Sequence, residues 1–466
     1  MGIKGLFPYL AEAAPKAHNT SELKRYTGQR LAVDASAWMY QFLTIVRTGA
    51  AAENLQNNQG AATSHLQGFV LRTLKLLEAG VHPVFVFDGR PPDMKMAVNA
   101  ARREVREQAA EDYASAVSSG ATGEHVYKAA SRSTRVTREH AEHAKEILRA
   151  MGMPVVEAPG EAEATCAQLC IEGQVYAAVT EDMDVLTFGS PRQIKNLFDV
   201  EGSRARQPRP AQEINLPKVL EGLSYTQEQF IEFCILCGCD YLPHLARMGP
   251  KTAAQILQRE GSLKAVVRCI QGGQGPKGCS IPEKWDWSSA KQLFQKGAKE
   301  LSADALDALK TQQAKDRAKL CDFEQMRQLL VEKHQFSSSR VDTMVERLRK
   351  ALAPGGAASN RRIESFFSAS PKRRRTAERP PIPVVSGDSG DEVVVCDDIV
   401  EIPVEAAEHE SEWNCEKCTF CNHAKLSSCE MCQHPRGAQR AKPGSGKWPP
   451  GTATKVTATK VIDLDD

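Results

Sequence analysis

The chain has 466 residues, of which 25% are charged and 41% hydrophobic, proportions that are ordinary for a globular protein and argue against disorder throughout. Because 60 Lys and Arg residues face 58 Asp and Glu residues, the net charge does not indicate a polyanionic partner, and local patterns must carry any such signal. We expect neither a membrane span nor a secretory leader, since no run of 18 apolar residues and no charged-then-apolar N-terminus occur.

Four short apolar segments predict the buried strands of a mostly parallel sheet: residues 30–34, 84–88, 154–157 and 175–180. Amphipathic patterns predict helices at 65–79, 138–151 and 226–236. Residues 94–135 are Ala-rich and charged, which is typical of two exposed helices that stand off the sheet. This alternation predicts an α/β fold with helices on both faces of the central sheet.

The composition changes near residue 354, where a Pro-Gly-Gly segment ends a helical pattern. Residues 381–412 contain ten acidic residues and neither Lys nor Arg. Such a stretch buries too little apolar surface to offset the entropy of ordering it. We therefore interpret 354–412 and 437–466 as disordered segments around a small cysteine-rich unit at 413–436.

Each predicted strand is followed closely by acidic residues: Asp34, Asp88, Glu161, Glu163, Asp182 and Asp184. The carboxyl ends of parallel strands meet at one edge of a sheet, where ligands commonly bind. Carboxylates gathered there would repel one another unless cations such as Mg²⁺ or Mn²⁺ neutralised them. One Asp after a strand is more often a helix cap. Six acids in this recurring position instead favour a two-metal site for phosphodiester hydrolysis.

Longer motifs surround these acids: Met1–Leu6, Val33–Ser36, Val86–Pro92, Ala158–Ala164, Thr180–Asp184, Leu236–Tyr241 and Met248–Lys251. On these motifs the chain, over residues 1 to about 350, closely resembles the eukaryotic and archaeal flap endonucleases. The resemblance implies a PIN-like 5′ nuclease fold with a helical gateway and a helix–two-turn–helix. It divides the core into 1–106 (N-terminal nuclease region), 107–135 (gateway connection), 136–260 (internal nuclease region) and 261–353 (C-terminal part).

The resemblance also implies the site. The six acids and Asp240 would hold two Mg²⁺ ions, while Lys95 and Arg102 match the cations that steer the scissile phosphate at the base of the gateway. Contacts with DNA are implied for Gly2, Tyr40, Arg47, Arg72, Arg103, Arg106, Gly249 and Lys251. In the family the hairpin at residues 248–251 grips duplex backbone and also holds K⁺. Here Arg247 replaces the first glycine of that hairpin, which leaves the K⁺ site open.

The implied activity is Mg²⁺-dependent cleavage of 5′ flaps, with 5′→3′ exonuclease activity on nicked or gapped duplex, in DNA replication and repair. The resemblance also implies recognition by DNA shape, so that no base-reading motif is needed, and none is found. Alternatives within the superfamily are a mismatch-repair-type exonuclease and a Holliday-junction resolvase. An alternative of another class is a catalytically silent DNA-binding scaffold that recruits ubiquitin-modified clamp. The full set of acids, with Lys95 and Arg102, argues against the scaffold.

Two motifs lie just beyond the predicted core. Asn360, Ile363, Phe366 and Phe367 resemble the motif that docks proteins on the sliding clamp PCNA, although that motif normally begins with Gln. A chance apolar turn is the alternative. The basic run 372–375 predicts nuclear import, with the mitochondrion left open as a second location. A basic tail that contacts DNA is the other interpretation of this run.

Two Cys-x-x-Cys pairs separated by ten residues predict a tetrahedral Zn²⁺ site formed by Cys415, Cys418, Cys429 and Cys432. The segment resembles a zinc finger of the Ran-binding-protein (NZF) type. Thr419, Phe420 and Met431 match its ubiquitin-binding subset, and the paired arginines of the RNA-binding subset are missing. Segments 393–398 and 461–466 resemble SUMO-interacting strands, a pattern short enough to arise by chance. By contrast, Cys234 and Cys237 share the metal-like spacing but are expected to be core thiols.

Overall fold

A computed structural model describes residues 2–3, 5–45, 47–48, 53–57, 62–121, 124–198, 210–297, 301–314, 317–353, 413–414 and 421–422. Its strands are β1 (His18–Ser21), β2 (Arg30–Asp34), β3 (Arg47–Thr48), β4 (Glu53–Asn54), β5 (His82–Phe87), β6 (Val155–Glu157), β7 (Ala177–Val179), β8 (Arg192–Lys195), β9 (Ala211–Asn215), β10 (Trp413–Asn414) and β11 (Cys421–Asn422). Seven of them form one sheet with the order β1-β9-β8-β7-β2-β5-β6. The short pairs β3–β4 and β10–β11 are separate antiparallel hairpins.

The helices of the first half of the chain are α1 (Leu6–Ala13), α2 (Ala35–Ile45), α3 (Ser64–Glu78), α4 (Met96–Ser118), α5 (Glu124–Arg132), α6 (Arg138–Ala150), α7 (Ala162–Ile171), α8 (Asp184–Thr187) and α9 (Leu216–Leu223). Those of the second half are α10 (Gln227–Cys237), α11 (Pro250–Glu260), α12 (Leu263–Gln271), α13 (Trp287–Gly297), α14 (Ala303–Ala314), α15 (Arg317–Leu320), α16 (Phe323–Arg327) and α17 (Ser338–Leu352). A π-helical turn at Gln328–Lys333 continues α16.

The central strands are parallel, as predicted. β2 pairs with β5 on one side and with β7 on the other, and β6 and β8 extend the sheet in the same direction. These are the four predicted strands together with β8. The remaining strands, β9 and β1, add antiparallel pairings at one edge. The prediction of a mostly parallel α/β sheet is therefore confirmed, while β1, β8 and β9 were missed.

Helices cover both faces of the sheet, because alternate residues of each strand enter different cores. Val33 of β2 packs with α2, α3, α6 and α17, whereas its neighbour Ala32 faces the core formed with α7 and α10. Cys234 and Cys237 are buried in the latter core as free thiols, which confirms their predicted role.

The pair of exposed helices predicted for residues 94–135 consists of α4 and α5. These two helices pack on each other through a small cluster of Ala116, Val126 and Ala130, with Tyr113 against it. Large apolar side chains of α4 remain exposed, among them Met96 at 61% and Val105 at 64%. The pair therefore stands off the sheet, as the sequence predicts.

The hairpin between α10 and α11 contains the unusual residue Arg247. Its φ of 60° lies in the left-handed region, where glycine is normally favoured. The arginine thus occupies a backbone conformation that glycine adopts more readily. Among the helices of the described ranges, none combines the length and hydrophobicity that a bilayer crossing requires.

Candidate active site

The predicted acids meet at the carboxyl edge of the central strands. Asp34 is the last residue of β2, and Asp88 follows β5 directly. Glu161 and Glu163 lie at the N-cap and in the first turn of α7, after β6. Asp182 and Asp184 follow β7, with Asp184 opening α8. Since acids two residues apart can share one cleft only in a loop or a first turn, these positions explain how each pair faces the site.

Asp34 is the most deeply fixed of these acids. Its side chain is 2% exposed, accepts a hydrogen bond from the Ala37 amide at 2.9 Å and another from the Thr180 hydroxyl at 2.9 Å. Burial, together with the charge of Asp88, nevertheless raises the pKa of Asp34 to about 7. Two hydrogen bonds therefore do not compensate for the desolvation and the neighbouring negative charge.

The other buried acids show the same unfavourable electrostatics. Burial first, and then Asp34 and Asp182, raise the pKa of Glu163 well above its usual range. Burial, with Asp182 and Asp240, does the same for the pKa of Asp184. One oxygen of Asp184, Oδ1, is buried without any hydrogen-bond partner. A buried carboxylate oxygen that lacks a donor is what a cation ligand would look like before the cation binds.

Two basic side chains from the base of the gateway reach into this acidic cluster. The Lys95 ammonium contacts Glu161 and lies 3.6 Å from Asp240, and Arg102 donates to Asp240 at 2.7 Å. Burial alone would lower the pKa of Lys95, but Glu161 and Glu163 outweigh it and raise that pKa. Both cations therefore pair with carboxylates of the cluster in this structure.

The donor set fits hard divalent cations. The seven carboxylates offer only oxygen ligands, the type that Mg²⁺ and Mn²⁺ prefer. Among the described residues, no three acidic, histidine or cysteine side chains already stand as one compact ligand group. The acids instead lie around Lys95, linked by the charge interactions given above. Binding of ions would therefore require small side-chain adjustments within an otherwise assembled cluster.

Three side chains that support the acids were not predicted. Tyr241 donates its hydroxyl to Glu161, and Thr180 donates to Asp34. Gln193 of β8 donates to the backbone carbonyls of Thr180 and Asp182 at 2.9 and 2.7 Å, which fixes the loop after β7. Thr180 and Tyr241 lie in the motifs that carry Asp182 and Asp240, and those motifs could have identified them. Gln193 is distant in sequence and carried no such signal.

The residues with an implied DNA contact occupy several surfaces. Gly2 lies beside Asp182, Tyr40 is half-buried on α2, and Arg103 and Arg106 lie on α4, where Arg103 pairs with Glu107 at 2.8 Å. Arg47 is in β3, and its side chain is outside the described residues. Gly249 caps the start of α11, and the exposed Lys251 pairs with Glu12 at 2.9 Å.

Arg72 requires a correction. Its side chain is only 5% exposed, and its guanidinium lies over the rings of Phe42 and Trp38, at 4.5 and 5.0 Å from their centroids. It also donates to Gln41 at 3.0 Å. Because stacking and hydrogen bonding hold it inside the core, the structure assigns Arg72 a packing role in place of the predicted DNA contact.

The predicted sites of the tail lie outside the described residues. This holds for the clamp motif (Asn360, Ile363, Phe366 and Phe367), for the side chains of the Zn²⁺ ligands (Cys415, Cys418, Cys429 and Cys432), for the ubiquitin-contact residues (Thr419, Phe420 and Met431) and for the basic run 372–375. Only the backbone pairing of β10 with β11 is described, Trp413 opposite Asn422 and Asn414 opposite Cys421.

Comparison with known proteins agrees with this site. Residues 1–109 match the XPG N-terminal domain, and residues 152–240 match the XPG I-region. Flap endonuclease 1 of Zea mays is 41% identical over 386 residues, covering 81% of this chain and 96% of that protein. Flap endonuclease 1-A of Laccaria bicolor is 41% identical over 374 residues, covering 80% of this chain and 90% of the relative.

Solved structures share the fold. The flap endonuclease-1 from Methanococcus jannaschii is 28% identical, with a TM-score of 0.52 over 72% of this chain and 96% of that one. The catalytic core of Rad2 in complex with DNA substrate is 24% identical, with a TM-score of 0.53 over 72% of this chain and 98% of that one. With close relatives covering most of its length and the acids of both XPG regions gathered at one sheet edge, the chain belongs to the flap endonuclease family.

Proposed function

We propose that this protein is a Mg²⁺-dependent, structure-specific 5′ flap endonuclease with 5′→3′ exonuclease activity in DNA replication and repair. The observation that carries the proposal is the joint placement of seven carboxylates, Lys95 and Arg102 at one sheet edge below α4. A purely structural site would not keep so many buried acids with raised pKa values, because each is costly without a cation.

The residues present suit hydrolysis of a phosphodiester. Two Mg²⁺ ions, when held by Asp34, Asp88, Glu161, Glu163, Asp182, Asp184 and Asp240, would neutralise the phosphate and lower the pKa of bound water. Lys95 and Arg102 enter the same cluster from the gateway, where their positive charge would bind and orient the scissile phosphate. Thr180 and Tyr241 hold Asp34 and Glu161 in place while the substrate binds.

DNA is the substrate that the relatives support. The curated relatives are named flap endonucleases, and the similar Rad2 core was solved in complex with a DNA substrate. In this chain, Gly249 and Lys251 at the start of α11 are exposed enough for phosphate contacts, and backbone contacts of that kind position DNA without reading its sequence. A K⁺ ion at this turn is a further proposal, since Arg247 adopts a left-handed backbone conformation of the kind that favours glycine.

The decisive experiment compares the wild type, Asp182→Asn and Glu181→Gln on a labelled double-flap DNA, with and without Mg²⁺. Glu181 is the matched control, because it is adjacent to Asp182 but pairs with Lys195 and the Asn196 amide outside the cluster. We expect Mg²⁺-dependent junction cleavage by the wild type and Glu181→Gln, and none by Asp182→Asn. If no protein cuts but all bind DNA, the scaffold alternative is correct.

For the tail we propose docking on PCNA through Phe366 and Phe367, nuclear import through residues 372–375, and ubiquitin binding by a Zn²⁺ finger at 413–436. A weaker SUMO interaction at 393–398 or 461–466 belongs to the same proposal. The paired strands β10 and β11 at the start of the finger support a compact unit there. Titration of ubiquitin against wild type and Phe420→Ala tests the finger, and PCNA capture by Phe366→Ala tests the clamp motif.

A further inference from the structure

Three basic side chains meet at the sheet edge opposite the acids. Arg30 begins β2 and His82 begins β5, and the two residues are direct partners in the parallel register. Arg317 reaches the same edge from α15. Its helix packs on Gly152, and a Cβ added to Gly152 would lie 3.1 Å from the Arg317 carbonyl oxygen. Gly152 stands just before β6, which continues the sheet beside β5. We refer to Arg30, His82 and Arg317 as the basic cluster.

Two members of the basic cluster, Arg317 and His82, are buried and carry nitrogens without hydrogen-bond partners. Arg317 is 6% exposed and His82 is 8% exposed, while Arg30 is exposed at the rim. Arg317 Nη1 and His82 Nδ1 are both buried without a hydrogen-bond partner. Within the described part of the chain, no carboxylate forms an ion pair with any member of the cluster. Two independent side chains thus present unsatisfied nitrogens at one place.

The mutual electrostatics are repulsive. Burial, and then the charges of Arg317 and Arg30, lower the pKa of His82 to about 4. Burial, and then Arg30, lower the pKa of Arg317 to about 10. A buried guanidinium without a counter-ion is strongly unfavourable, and an anion bound from outside would relieve that cost.

We propose that the basic cluster binds a small tetrahedral oxyanion of the phosphate class. Such an anion can accept hydrogen bonds from the Arg317 guanidinium and the His82 ring and can neutralise Arg30 at the entrance. Because β2 runs from Arg30 to Asp34, about 13 Å of strand separates this position from the catalytic carboxylates. The site is therefore distinct from the nuclease centre, and its existence does not depend on the proposed function.

The test measures the thermal unfolding midpoint of the full-length protein in EDTA at fixed ionic strength, with inorganic phosphate replacing chloride. We expect phosphate to raise the midpoint of the wild type by several degrees, because a ligand that binds only the folded state stabilises it. Arg317→Gln should abolish the phosphate-induced rise, whereas Arg259→Gln, an exposed arginine on α11, should keep it. The double variant Lys95→Ala, Arg102→Ala should also keep it, which would exclude the active site as the source.

An equal rise in wild type and Arg317→Gln, or no rise in the wild type, would overturn the proposal. If Arg317→Gln does not fold, His82→Gln serves as the second variant, and it must reduce the rise for the proposal to stand. Thymidine 5′-monophosphate in place of phosphate distinguishes the two sources of the anion. A rise with phosphate alone assigns the free ion, and a rise with both assigns any terminal phosphate group.

Discussion

The backbone of Gly2 lies directly against the carboxylate of Asp182. A Cβ added at Gly2 would stand 1.8 Å from Asp182 Oδ1, far inside any real contact, and the φ of Gly2 is +75°. Burial raises the pKa of Asp182, and the hydrogen bond that its Oδ1 accepts from the Asp184 amide offsets this only in part. Residue 2 therefore lies against the acidic cluster, close to the predicted metal ligands, as the sequence resemblance implied.

We predict that Gly2→Ala lowers the cleavage rate of flap DNA by about 100-fold, because displacement of Asp182 by even 1 Å disturbs the reacting geometry. The matched control is Gly28→Ala, at φ +80° but with nothing within 4 Å of the added Cβ. That control bears the backbone strain without the clash, so it should lose about 1 kcal/mol of stability and little activity. Single-turnover cleavage and urea unfolding of both variants provide the measurements. Equal loss of activity in the two would contradict the direct role of Gly2.

The cations of the gateway allow a second prediction. Lys95→Ala and Arg102→Ala should each lower the single-turnover rate by about 100-fold, because each removes a positive charge aimed at the transferring phosphate. Arg103→Ala is the control on the same helix, since Arg103 is 70% exposed and pairs with Glu107 away from the acids. Its effect should stay below about threefold, confined to DNA affinity at low salt. If Arg103→Ala slows cleavage as much as Lys95→Ala, general charge on α4 matters more than the pairing with Glu161 and Asp240.

Arg72→Ala separates packing from DNA binding. Removing a guanidinium stacked on Phe42 and Trp38 should destabilise the fold by about 2–3 kcal/mol, a typical cost for losing a buried cation–π contact together with its packing. At a temperature where the variant is folded, its affinity for flap DNA should equal that of the wild type. Urea unfolding and a fluorescence anisotropy titration measure the two quantities. A large loss of affinity with unchanged stability would restore the DNA contact that the sequence implied.

Much of the fold could be predicted because the informative signals are local. The segment 30–34 coincides with β2, and the helix predicted at 226–236 is α10 shifted by one residue, with the Thr226 capping box at its start. The strands β1, β8 and β9 on one side of the sheet were missed, since His18–Ser21, Arg192–Lys195 and Ala211–Asn215 have little apolar periodicity. Their strand conformation comes from tertiary pairing, which a local pattern cannot report.

The part of the site that lies at strand ends could be predicted, because the carboxyl ends of parallel strands meet at one edge of the sheet. The positions of Asp34 and Asp88 follow from the strand ends alone. Asp240 follows α10, and Lys95 and Arg102 lie at the start of α4. These three required the family resemblance, because the register of the sheet does not determine where those helices lie. Arg72 shows the limit of carrying residues over from a family. A basic residue in a matching motif can be buried by aromatic neighbours such as Phe198, which is distant in sequence.

Asp34 predicts a pH dependence in the absence of metal. Its pKa of about 7 is raised above the ordinary value of 3.8, so its contribution to stability is present at low pH and is lost as the pH rises through 7. In EDTA, we therefore compare the unfolding free energy of Asp34→Asn with that of the wild type. This difference should shift in favour of the variant by about 3 kcal/mol as the pH rises from 5 to 8. Exposed Asp93→Asn should show no such change. Added Mg²⁺ should stabilise the wild type at pH 8 but not Asp34→Asn, and a pH-independent difference would contradict the assignment.

His65 predicts the opposite trend, at a place remote from the acids. It is fully buried, neither ring nitrogen has a hydrogen-bond partner, and its ring centroid lies 4.7 Å from that of His140. Burial first, and then His140, His143 and His334, lower its pKa well below 6.5. Its neutral form is thus required in the folded state, and the associated stability is lost as the pH falls below 6.5.

In acid, the unfolded wild type takes up a proton at His65, and this uptake favours unfolding. His65→Leu removes the group that takes up the proton. Relative to the wild type, this variant should gain about 2 kcal/mol more unfolding free energy at pH 5 than at pH 7.5. His125→Leu is the control, because His125 is exposed on α5. Urea unfolding at the two pH values measures the difference. Equal shifts at pH 5 and pH 7.5 would mean that His65 takes up its proton inside the folded protein, most directly by sharing it with His140.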